Sequence, residues 1–350
     1  YTGDFTIKLG ADNDSIVAIR TLAGDSIDMG AGDDQVNIYV NSGEAVNVHS
    51  LAKLDGGAGI DTLSFEVSGY GEAGATLTLT HRGATNFENL TGTSQNETIN
   101  GDNNANVLAG GDGADTINGG SGNDTLYAYN ENTGPGPGSG GASSDNGDDN
   151  LYGEAGNDTL IASAGNNILD GGTGADTITS GSGSDTIILR SGDGGSALAD
   201  ADVITDFTDG TDALGLSGSL AFSDLTIAQG SGSNANDTLI SITSTGEYLS
   251  ILQGITATNV TGLDFMSMSG SALTLSGTSG NDTLVGGASG DTATTGAGDD
   301  TIITWAGDDA ITVNGTGTKT INGGGGTDSL TVSVSGYTSI TDYVVSYANG

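Results

Sequence analysis

Glycine-rich nine-residue units recur through three stretches of this 350-residue chain, a period that suits a solenoid and not a packed globular domain. The clearest copies are GGDGADTIN at 110 to 118 and GGSGNDTLY at 119 to 127, preceded in frame by GTSQNETIN and GDNNANVLA from Gly92. The frame returns at Ser144 for five units, SDNGDDNLY, GEAGNDTLI, ASAGNNILD, GGTGADTIT and SGSGSDTII, ending at Ile188. A third block at 277 to 312 reads GTSGNDTLV, GGASGDTAT, TGAGDDTII and TWAGDDAIT. It slips by one residue before NGTGTKTIN and GGGGTDSLT. MGAGDDQVN at 29 to 37 and GGAGIDTLS at 56 to 64 are looser copies.

Each unit has a six-residue half that turns and a three-residue half that favours a strand. Glycine supplies the positive φ of the turn, and an apolar residue at position eight, such as Ile117, Leu126, Leu160, Ile178 or Leu284, points inward. Two units make an 18-residue coil, and stacked coils pair each strand in parallel with the next, about 4.8 Å away. Position six, usually Asp, then lines up with its counterpart two units further along. The pairs in frame are Glu97 with Asp115, Asn106 with Asp124, Asp149 with Asn167, Asp158 with Asp176, Asn167 with Asp185, Asp282 with Asp300, and Asp291 with Asp309. Carbonyls of the glycine turns, at Gly110, Gly119, Gly171 and Gly286 among others, complete the candidate ligand set.

Such ladders need a counter-charge. Two carboxylates about 5 Å apart repel by roughly 3 kcal/mol at an effective dielectric near 20. With 6 basic against 45 acidic residues and a net charge of −39, the chain has few cations of its own to offset that. Low aromatic content with this charge reads as disorder unless something neutralises it. An all-oxygen donor set without His, Cys or Met in register suits calcium, whereas magnesium demands a tighter octahedron and keeps its water. Seven divalent ions carry +14 and would take −39 to −25, so seven or more calcium ions still leave an acidic surface. The same charge argues against nucleic acid and anionic lipid as partners, and no apolar run predicts membrane insertion.

The GGxGxDxUx pattern of these units resembles the hemolysin-type calcium-binding, or RTX, nonapeptide of bacterial secreted proteins. That resemblance implies an all-β fold of parallel β-rolls with short β-rich connectors, calcium between coils, type I export of the unfolded chain and folding in extracellular calcium. Residues from Asp202, DVITDFTDGTDALGLSG, with FSDLTI, NDTLISI, EYLSILQGI and GLDF, are similar to the region that closes the roll in secreted RTX proteases. The segment through Phe87, Glu88, Asn89 and Leu90 resembles the lead-in to rolls in large surface-layer proteins and adhesins.

The expected organisation is a degenerate RTX or β-rich lead-in at 1–91, then a main roll at 92–188 with a loop insertion at 128–143. A closing connector at 189–276, a second roll at 277–331 and the start of a further β segment at 332–350 follow. The chain opens at Tyr1 without Met and reads as a piece of a larger protein. Catalysis has little support. His49 and His81 form no HExxH array, no GxSxG occurs, and paired carboxylates such as Asp33 with Asp34 or Asp148 with Asp149 fall at positions five and six of repeats. Trp305, at a turn position, is expected to be exposed. Asp25 and Asp34 have no carboxylate one 18-residue coil on, at Gly43 and Ala52, leaving open whether residues 1–64 bind metal. The expected function is that of a non-enzymatic, secreted or cell-surface calcium-binding structural protein that self-associates in a surface layer, filament or adhesin. Cell-surface glycans or other surface proteins are further expected partners. The alternative is the noncatalytic RTX region of a type I secreted hydrolase or toxin.

Overall fold

The computed structural model describes residues 5–19, 25–41, 53–68, 75–80, 84–129, 147–333 and 343–345. His49, His81, Gly43, Ala52, most of the 128–143 insertion and nearly all of 334–350 lie outside them. The chain divides into two compact units, residues 1–185 with 202–206, and 186–201 with 207–350.

In the first unit the nine-residue halves alternate between two parallel sheets. Glu97–Asn100, Thr116–Ser121, Asn150–Ala155 and Ile168–Asp170 run side by side in one. Val107–Ala109, Thr125–Tyr127, Thr159–Ile161 and Thr177–Thr179 do so in the other. Register follows the repeat: Ile99 faces Ile117 and Leu108 faces Leu126. Position eight is therefore a core position throughout this stretch. Ile99, Ile117, Leu151 and Leu169 on one sheet and Leu108, Leu126, Leu160 and Ile178 on the other are fully buried, each contributing roughly 1.5–3 kcal/mol of burial.

Ile117 pairs with Leu151 directly across the insertion, so strand register is kept over it. Ala128 stays in the coil: it is buried and its N–H donates to Ile161 O at 3.0 Å. The lead-in also coils, with longer turns. Gln35 pairs with Thr62, Thr62 with Asn89 and Asn89 with Val107, all in parallel, which carries one sheet from the lead-in into the regular repeats.

The second unit begins with parallel pairing of Thr186–Leu189, Ala213–Leu216 and Phe265–Ser267. An antiparallel meander, Leu225–Gln229, Thr238–Ile242 and Tyr248–Leu252, interrupts the coil. The nine-residue pattern then resumes. Thr274–Ser276, Thr292–Thr294, Ala310–Val313 and Ser329–Val332 form one sheet. Thr283–Val285, Asp300–Ile303, Lys319–Asn322 and Tyr343–Val345 form its counterpart. Ala293, Ile302, Ile311, Val313 and Ile321 make its core, with Leu275 and Leu284 only partly buried against them. The one-residue slip after Thr312 is absorbed here, since Thr301 pairs with Thr320.

Trp305 corrects the expectation of exposure. It is half-buried, and its indole N–H donates to Phe265 O at 2.6 Å. An indole donor finds a carbonyl when its ring is covered, so this side chain is tied into the unit that holds it.

Candidate metal centres

Position six does the same thing in coil after coil. Its side-chain oxygen accepts the backbone N–H of the position-six residue one coil earlier. Glu97 N–H donates to Asp115 Oδ1 at 2.7 Å, Asn106 to Asp124 at 2.8 Å, Asp149 to Asn167 at 2.9 Å, Asp158 to Asp176 at 2.7 Å, and Asn167 to Asp185 at 2.8 Å. In the second unit Asp282 N–H donates to Asp300 Oδ1 at 3.0 Å and Asp291 to Asp309 at 2.6 Å. All seven pairs expected from the repeat spacing are thus brought together.

Fixed spacing missed others. Asp115 donates to Asp149 and Asp124 to Asp158 across 34 residues, sixteen more than one coil. In the lead-in, Asp14 N–H donates to Asp34 Oδ1 across 20 residues, Asp34 to Asp61 and Asp61 to Glu88 across 27. Asp176 donates to Asp202 across 26. The recurring G-A-G-x-D at 30 to 34 and 57 to 61 was the signal available. Asp34 and Asp61 are partners three nine-residue units apart, which a search at two units could not see.

A second ladder, at position five, runs in the opposite sense. Asn96 Oδ1 accepts from Ala114, Asn157 Oδ1 from Ala175, Asn166 Oδ1 from Ser184 and Asn281 Oδ1 from Asp299, at 2.9–3.1 Å. Where Asn and Asp adjoin, the pair therefore stitches its coil to both neighbours. The NDT core is a clamp whose two side chains point along the stack in opposite directions.

The carboxylates are buried with an oxygen to spare. Asp34, Asp61, Asp124 and Asp158 are at most 2% exposed, and their Oδ2 atoms have no hydrogen-bond partner. Burial pushes the carboxyls of Asp61 and Asp124 up to about 6 and that of Asp158 up to about 7, with neighbouring carboxylates adding to the rise. Burial also raises Glu97, Asp176 and Asp309. An ionised, unpartnered buried oxygen is costly unless a cation meets it.

Glycine makes the room. A Cβ built at Gly110, Gly119, Gly171 or Gly286 would lie against the Oδ2 of Asp115, Asp124, Asp176 or Asp291 in its own repeat. Gly172 and Gly174 have φ of +91° and +140°, and a Cβ on either would collide with Glu154 O or Gly156 O of the preceding coil. Carbonyls at positions two and four therefore aim at the next turn. Among the described residues no three acidic or imidazole side chains converge on one point. A cation held here would draw its remaining ligands from these main-chain oxygens, and the oxygen-only set fits a hard ion such as calcium.

A solenoid of parallel coils, stitched by side chains at fixed repeat positions and lined by buried carboxylates, defines a repeat protein of the β-roll class. Residues 91–126, 143–178, 161–194 and 276–311 match the RTX calcium-binding nonapeptide repeat. These segments are RTX calcium-binding nonapeptide repeats, folded as β-roll coils. No curated protein matches the chain. Among solved structures, the AlgE6R2 subunit of the Azotobacter vinelandii mannuronan C5-epimerase is 21% identical, covering 43% of this chain and 90% of its own with a TM-score of 0.28. The AlgE6R3 subunit of that epimerase is 21% identical, covering 49% and 82% with a TM-score of 0.29. The extracellular lipase LipA from Serratia marcescens is 18% identical, covering 59% and 44% with a TM-score of 0.27.

Proposed function

We propose that this chain is part of an extracellular structural protein whose rolls fold on calcium outside the cell and then self-associate in a surface layer, filament or adhesin. The observation that carries the calcium-driven step is the repeated buried carboxylate with a spare oxygen at Asp34, Asp61, Asp124 and Asp158. With a dissociation constant near the millimolar range of extracellular modules, about 10 mM calcium stabilises each site by ~1.4 kcal/mol, while sub-micromolar cytosolic calcium adds almost nothing. Seven or more such sites, coupled along their stacks, make the difference between an exportable unfolded chain and a folded roll. Self-association is the form favoured by repeat blocks in both units.

Calcium titration followed by circular dichroism and light scattering, with magnesium as control, tests this. A coil-to-β transition with particle growth near millimolar calcium is the expected result. The same transition without growth points to the noncatalytic region of a secreted hydrolase or toxin. A β signal indifferent to chelator removes the calcium-driven step.

A further inference from the structure

One position-six residue is not an acceptor at all. In NGTGTKTIN the place of Asp is taken by Lys319, and this lysine has no measurable exposure. A lysine is almost never fully buried unless paired, and the partners here are informative. Its Nζ lies 2.7 Å from Asp300 Oδ2 and donates to Gly298 O at 2.6 Å, Gly296 O at 2.9 Å and Thr316 O at 3.1 Å. Gly296, Gly298 and Asp300 are positions two, four and six of TGAGDDTII, one coil earlier.

We infer that Lys319 is a resident cation, its ammonium filling the calcium-type position between the turn at 295–300 and the turn at 314–319, so that this junction holds no metal ion. The inference rests on reading the position-six turns as calcium sites. Three neutral carbonyls and one carboxylate around a point cation form an oxygen cage, and the ammonium supplies its donors to it from within the chain.

The surrounding bonds have adjusted accordingly. Residue 319 offers no carboxylate to the coil before it, and Asp300 N–H donates instead to Thr318 O at 2.9 Å. On the opposite side of the roll the usual link resumes, with Asp309 N–H donating to Asp328 Oδ1. The lysine also marks which main-chain oxygens converge on a cation in this fold, since a Cβ at Gly315 or Gly317 would meet those of Gly296 and Gly298. The Lys8 side chain, by contrast, is 73% exposed beside Asp28 and serves as an internal reference.

Two measurements on the full chain test this. Calorimetric counting of calcium on the wild type and on Lys319→Asp should show one additional ion per variant chain, because the substitution restores a carboxylate opposite Asp300. An unchanged count in a variant whose calcium-saturated circular dichroism matches the wild type overturns the inference. A wild type that binds no calcium overturns the site reading and the inference with it. Should the variant not fold, acetylation of wild-type lysines at saturating calcium decides the matter. Lys319 should react at least about tenfold more slowly than Lys8 while the chain is folded. If both react equally under those conditions, calcium has expelled the ammonium and the assignment is wrong.

Discussion

At the scale of single residues, glycine and aspartate have separable jobs. Gly174 combines a left-handed φ of +140° with a close approach to Gly156 O, whereas Gly192 has a φ of +101° and open space around it. Both positions strain an L-residue, but only the first also forces two coils apart. Gly192→Ala should therefore cost on the order of 1 kcal/mol, and Gly174→Ala clearly more. Urea denaturation at saturating calcium checks the order, which equal costs would contradict. The buried carboxylates give a pH dependence of unusual sign. Asp158 is pushed up to about 7 and Asp61 and Asp124 to about 6 in the metal-free fold, against roughly 3.9 in an unfolded chain. Between those values the folded state binds more protons, so stability is greatest near the lower one and falls as pH rises through the upper. Asp55, lowered by Lys53, changes stability only below the unfolded carboxylate value and so leaves this window untouched. In EDTA the residual β signal in circular dichroism should be stronger at pH 5 than at pH 7.5, and a stronger signal at pH 7.5 would count against burial as the dominant cause.

At the scale of elements, coil length and coil register are independent. The ladder bond spans 18 residues between Asp158 and Asp176, 27 between Asp34 and Asp61, and 34 between Asp124 and Asp158, with the same donor and acceptor each time. The parallel strand pairs keep their register whatever the number of residues between them. Removing residues 130–145 joins Tyr129 to Asn146 and restores 18-residue spacing from Asp124 to Asp158. The shortened chain should keep its β signal, and its thermal midpoint in calcium should be equal or slightly higher, since the loop-closure cost grows only slowly with length. A lost transition in calorimetry would show that the insertion is needed for stacking. The meander at 225–252 obeys a different rule, antiparallel pairing, and carries none of the position-six chemistry.

At the scale of the whole molecule, charge governs. A net charge of −39 destabilises any compact state through self-repulsion. Ions bound only by the folded state work against this by mass action, so the thermal midpoint should climb with the logarithm of free calcium above millimolar. Differential scanning calorimetry across a calcium series checks this, and a midpoint that magnesium raises equally would remove the preference for the larger ion. Each compact unit contains its own ladder, and each should show this dependence.

The fold class, the pairing of alternate units and the inward face at position eight could all be read from the sequence, because the periodicity of glycine, aspartate and leucine or isoleucine is a local property repeated many times. Glu97 with Asp115 and Asp291 with Asp309 follow from counting alone. Asp34 with Asp61, Asp61 with Glu88 and Asp176 with Asp202 do not, since unequal turns hide the spacing while strand pairing restores the contact. The opposite senses of the Asn and Asp ladders were likewise hidden: neighbouring side chains point up and down the stack only once coils lie on each other. Lys319 is the sharpest case. In the sequence it is one departure from a repeat; in the fold, three carbonyls and a carboxylate from two successive coils close around its ammonium. The sequence by itself determined that coils stack and which positions face inward, because those depend on periodicity. Only the tertiary structure decided which turns meet and what charge each junction needs, because hydrogen bonds and ion contacts depend on distances across coils of unequal length.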